Sequence, residues 1–130
     1  LITSPYDKYR QSSVQTSTPA QLVIMLYDGA IRFVKMALDG LSKQEYEKSN
    51  LNFGKAQSII SELMGTLDHS YEVSKGLFSL YEYTNHLLIE ANIHRNPEKA
   101  HEALGYLGEL RETWLQASKL PNAQNENVHG

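Results

Sequence analysis

The residues best placed to do chemistry in this 130-residue chain are its five histidines and the carboxylates beside them. Glu98-Lys99-Ala100-His101 has the Glu-x-x-His spacing of di-iron bundles, which need two such motifs and two further carboxylates pointing inward. Here there is one copy, and Glu98 and His101 fall off the apolar face of their segment. His86, Glu90 and His94 repeat at i, i+4 and i+8 and share a helical face, as a metal pair would. That face is the polar side of its segment and reads as a solvated stripe rather than a ligand set. The serines lie at caps, turns and polar faces. Neither a strand–turn–helix setting for a nucleophile nor a Gly-rich phosphate cradle accompanies them. The absence of cysteine removes thiol and disulfide chemistry. A net charge of −3 offers no basic field for nucleic acid. The expectation is a binding protein, not an enzyme, with no metal and no cofactor.

The elements that carry these residues are helical. Thr18-Pro19 and Asn96-Pro97 each place a capping residue before proline at the first helical position. Apolar periodicity predicts helices from Pro19 to about Leu41, Tyr46 to Leu67, Tyr71 to Ile93 and Pro97 to Ser118. The connections, Gly40 to Glu45, Asp68 to Ser70 and His94 to Asn96, are short enough to make sequential helices antiparallel neighbours. The fold class is therefore all-α, an antiparallel up-down four-helix bundle over residues 18–118. An N-terminal arm (1–17) precedes it, with a short helix from Pro5 to about Val14. A polar tail (119–130) follows and reads as disordered.

The first long helix is unusual. Its polar residues Gln21, Asp28, Arg32, Lys35 and Asp39 occupy a stripe only about 60° wide, and apolar residues cover an arc of roughly 240°. A surface helix ordinarily shows an apolar face of about 100° or a little more. Either this helix is central or one face awaits a partner. Ile24, Tyr27, Ile31, Val34 and Leu38 form the candidate docking face. Phe78, Ile89 and Ile93, which project away from the main face of the third helix, are secondary candidates. Asp28 and Arg32 are spaced for an i, i+4 pair. Gly29, costly inside a helix, suggests close approach of another backbone. Tyr81 and Tyr83 read as core-edge residues. Tyr6 and Tyr9, on the arm, suit contact with an apolar groove.

The run Thr16-Ser17-Thr18-Pro19, Leu22 and Met25-Leu26-Tyr27-Asp28-Gly29-Ala30-Ile31-Arg32 resembles the opening of the bacterial flagellin-specific export chaperones. The similarity continues through Leu63, Leu67-Asp68, Leu80-Tyr81-Glu82-Tyr83, Leu88 and Ala91-Asn92 to Leu110-Arg111-Glu112-Thr113-Trp114. His69-Ser70-Tyr71-Glu72 departs from the glycines that often follow the Leu-Asp pair in that family. The resemblance implies a cytoplasmic helical chaperone that binds the disordered C-terminal segment of flagellin. It also implies protection of flagellin from early polymerisation and delivery to the flagellar export gate.

On this reading Tyr6 and Tyr9 cover the groove until flagellin displaces them. A regulator of flagellin synthesis as a second partner stays open. So does a homodimer built on the same apolar face. No apolar run approaches the roughly 20 residues that span a bilayer, so membrane insertion is not expected. The opening residues lack the pattern of a signal peptide, and a cysteine-free chain suits a reducing cytoplasm.

Overall fold

A computed structural model describes residues 19–120 and 128–129. Its helices are α1 (Pro19–Ser42), α2 (Tyr46–Gly65), α3 (Val73–Ile93) and α4 (Pro97–Ala117). α1 and α3 each pack against both α2 and α4, which closes the expected up-down bundle. The core runs along its axis through Val23, Tyr27, Ala30 and Val34 of α1, Phe53, Ile60 and Leu63 of α2, Leu87 and Leu88 of α3, and Leu107 of α4. The arm with Tyr6, Tyr9 and the Pro5–Val14 segment lies outside the described residues.

Local chemistry sets the helix ends. Asn96 accepts a hydrogen bond from the Glu98 amide at 3.0 Å, with Pro97 at the first position of α4. α1 ends in a Schellman arrangement. The Glu45 amide donates to the Gly40 carbonyl at 2.8 Å and the Gln44 amide to that of Leu41 at 3.1 Å, with Gln44 at φ 58°. α3 ends alike, with Arg95 at φ 51° and the Asn96 amide donating to Ala91 at 2.9 Å.

The α2–α3 connection is longer than expected, because α2 stops at Gly65 and α3 starts at Val73. Asp68 is the cause. Its carboxylate accepts from the Ser70 amide at 3.0 Å and the Ser70 hydroxyl at 2.6 Å, and its carbonyl takes the Ser74 hydroxyl at 2.5 Å. These bonds hold a turn in place of helix.

Close packing of α1 on α2 explains two glycines. A Cβ on Gly40 would stand 2.8 Å from the Ser49 amide nitrogen and 3.0 Å from the Glu45 carbonyl oxygen. Gly29 instead faces the side chain of Ile59, 3.1 Å from where its Cβ would be. The close backbone approach expected at Gly29 thus occurs at Gly40.

Candidate functional site

The wide apolar arc of α1 is largely consumed inside the bundle. Leu26 and Phe33 pack toward α2, where Lys55 sits over the Phe33 ring at 5.4 Å. Tyr27 and Val34 are completely buried, so the open five-residue face expected on α1 is corrected: these two belong to the core. They point inward because their positions coincide with those of Val23 and Ala30 on the helical wheel. Ile24, Ile31 and Leu38, spaced by seven, remain half-buried. They run along the side that meets α4, where Leu38 lines a hollow with Leu41, Tyr46, Arg95, Pro97 and His101. Asp28 forms its ion pair across this seam with Arg111 of α4, not with Arg32. Arg32 lies over the Phe33 ring at 5.1 Å.

The more open surface is on α3. Ile93 is 66% exposed and Ile89 38%, while Phe78 is half-buried with the His69 ring edge-on at 6.1 Å. Hydrogen bonds place this row beside α2. Asn92 donates to Asn50 at 2.8 Å, and Asn85 makes a long contact to Ser61 at 3.5 Å. Asn50, Gly54, Gln57 and Ser61 recur at helical spacing on the facing stripe of α2. Apart from the backbone of its own helix and its chain neighbours, nothing lies within 4 Å of the Cβ position of Gly54. Small and polar residues on α2 therefore form a shallow floor next to the apolar row of α3. Such a seam accepts the apolar face of an amphipathic segment.

The residues weighed for metal chemistry are dispersed in solvent. Glu98 and His101 are exposed. His86 and His94 flank Glu90 at 4.0 and 3.2 Å, all on the outer side of α3. No group of three potential ligands converges among the described residues. None of the described helices is long and apolar enough to cross a membrane.

One cluster was not legible in the sequence. The hydroxyls of Tyr27 and Tyr81, from diagonally opposite helices, are hydrogen-bonded to each other in the core. His129 Nε2 lies 3.0 Å from the Tyr81 hydroxyl, and its ring stands edge-on to Trp114 with centroids 5.2 Å apart. Burial pushes the Tyr27 hydroxyl up to about 12, against hydrogen bonds from Tyr81 and Trp114. It raises Tyr81 further, helped by the neighbouring Tyr27. Burial also drives His129 down to about 4. Tyr81 is thus a core residue, whereas Tyr83 is 44% exposed and donates to Glu102 at 2.9 Å across the α3–α4 seam. The available signal was Val128, a lone β-branched residue in the polar run from Asn122 to Gly130.

The chain matches the family described as "Flagellar protein FliS" over residues 2–121. It is 36% identical over 129 residues to the flagellar secretion chaperone FliS of Bacillus subtilis, covering 99% of this chain and 95% of that protein. The Campylobacter jejuni protein of the same description is 30% identical, covering 85% of this chain and 88% of its own length. That of Salmonella typhimurium is 31% identical, with 83% and 82% covered.

Proposed function

The chain belongs to the FliS family of flagellar secretion chaperones, and we propose that it holds the C-terminal segment of flagellin on the α2–α3 seam. The observation that carries this reading is the row Phe78, Ile89 and Ile93, left open beside the small-residue stripe of α2. A disordered partner pays its ordering entropy on binding and recovers it only over a long apolar surface. From Phe78 to Ile93 the row extends about 22 Å, at 1.5 Å per residue. Ile24, Ile31 and Leu38 supply a second, narrower strip on the α1–α4 seam. Holding this segment keeps flagellin from polymerising early in the cytoplasm and presents it to the export apparatus. Tyr27 and Val34 act from the core, by setting the position of α1.

The test is a calorimetric titration of the C-terminal segment of flagellin from the same organism against the wild type, Ile89→Asp and Ile93→Asp. Both side chains are exposed, so neither change places a charge in the core. We expect saturable binding with a negative heat-capacity change, and a loss of at least about tenfold in either variant. Full affinity in both variants would move the docking site off this seam. A concentration-dependent dimer that Ile93→Asp dissolves would assign the row to a second copy of the chain.

A further inference from the structure

Eight residues beyond Leu120 in the sequence, Val128 packs on the bundle. Val128 is only 4% exposed, and its carbonyl accepts a hydrogen bond from the Asp68 amide at 2.6 Å. His129 follows with its Tyr81 and Trp114 contacts. Two consecutive residues therefore use three kinds of contact: a main-chain hydrogen bond, a buried aliphatic side chain, and an aromatic ring with a polar tip. This is how a groove reads an extended peptide. The place that these two residues fill, between the Asp68 turn, Tyr81 and Trp114, also borders the α3 row. Asp68 is followed by His69, whose ring packs edge-on against Phe78, and Tyr81 lies three residues beyond Phe78. A segment lying along Ile93, Ile89 and Phe78 thus arrives at the place that Val128 and His129 fill.

We propose that this hollow, formed by the Asp68 turn, Tyr81 and Trp114, is a peptide-docking site. Its resident occupant is the chain's own Val128–His129 pair, and an extended apolar stretch of flagellin competes for it. This rests on the flagellin reading above. A two-residue occupant tethered to its own bundle binds at high effective concentration yet makes few contacts. A long partner anchored along α3 displaces it, and the apparent affinity for that partner is reduced by the fraction of chaperone whose hollow is filled. The tail then acts as a placeholder that keeps aromatic surface covered in the free protein.

Trp114 is the sole tryptophan and touches His129, so its fluorescence reports the state of the hollow. The experiment compares full-length wild type, Val128→Asp and His129→Ala, each titrated with the flagellin C-terminal segment. A synthetic peptide of residues 122–130 serves as a second probe. We expect Val128→Asp to change the emission of the free protein without loss of helicity. It should bind the flagellin segment about threefold or more tightly than wild type. The wild type should show the same emission change when the segment binds. The peptide should bind Val128→Asp and be displaced by the segment. Equal affinity for wild type and Val128→Asp, with wild-type binding intact, overturns competition while leaving the flagellin reading standing. Weaker binding by Val128→Asp overturns it too, since the tail then assists. No binding by any form removes the flagellin reading and this inference with it.

Discussion

At one end of the bundle the chain reverses twice within three residues, after Ser42 and after Ile93. At the other, a seven-residue connection runs from Thr66 to Glu72, and two residues from the C-terminus pack beside it. The turn end is held largely by contacts among neighbours in sequence, namely paired Schellman caps, the Asn96-Pro97 start and Gly40 against Ser49, with Arg95 over the Tyr46 ring joining its two turns. The tail end is held by groups from four separate parts of the chain, namely Tyr27, Tyr81, Trp114 and His129. Short-range closure costs little loop entropy and makes a rigid end. Long-range closure can be opened without unfolding the helices, which is what a surface that exchanges occupants requires.

The largest effect that would break this comparison is expected at Gly40. Gly40→Ala sets a methyl group against backbone atoms at 2.8 and 3.0 Å, which cannot rotate away. A loss of about 1–3 kcal/mol or more is expected from overpacking of this kind, read by urea unfolding. Gly105→Ala in α4, where nothing lies within 4 Å, should instead gain about 0.5–1 kcal/mol. Equal effects of the two changes would mean that the turn end is not closely packed.

Next in size is Tyr81→Phe, which strips a buried hydroxyl of its links to Tyr27 and His129. A cost of about 1–2 kcal/mol is expected, and the Tyr27→Phe/Tyr81→Phe double variant should recover part of it because both partners are then gone. Trp114 emission should change in Tyr81→Phe but not in Gly40→Ala. An unchanged emission would show that the tail is held without the tyrosine.

The contrast between the ends also marks what a reader of the sequence could see. Asn96-Pro97, the four helices and their short turns rest on local propensity and period, and those signals are written in adjacent residues. The inward positions of Tyr27 and Val34 were harder, because an arc of about 240° does not say which part faces a neighbouring helix. The Asp68 turn is longer than the apolar period predicts, since its serine partners compete with helix only once the side chains are oriented. Asp28 with Arg111 and Val128 with Asp68 join residues far apart in the chain, and no periodicity encodes such pairs. The apolar row on α3 was visible as Phe78, Ile89 and Ile93, but its neighbouring stripe on α2 emerges only from the packing.

A smaller effect sharpens the account of the turn end. Gln44 and Arg95 hold left-handed backbone at the two Schellman caps, a conformation that glycine adopts without strain. Gln44→Gly should stabilise by about 0.5–1 kcal/mol in thermal unfolding. Arg95→Gly should gain less, because the Arg95 guanidinium lies 3.6 Å from the centre of the Tyr46 ring and that contact would be lost. A larger gain at Arg95 than at Gln44 would mean that the stacking contributes nothing.

The smallest effect on the bundle as a whole, and the most local, is a response to pH at the tail end alone. His129 ordinarily titrates near 6.5, and burial against Tyr81 and Trp114 lowers it to about 4. The docked pair therefore binds fewer protons than the released one. Docking is fully present above pH 6.5 and is progressively lost as pH falls toward 4. Tyr81 and Tyr27 stay neutral throughout, since burial raises both. Trp114 emission should accordingly shift as pH falls from about 7 to 4 while helicity holds, and His129→Ala should flatten that response. A wild-type response centred at 6.5 would place the imidazole in water, and the tail end would then be closed by Val128 alone.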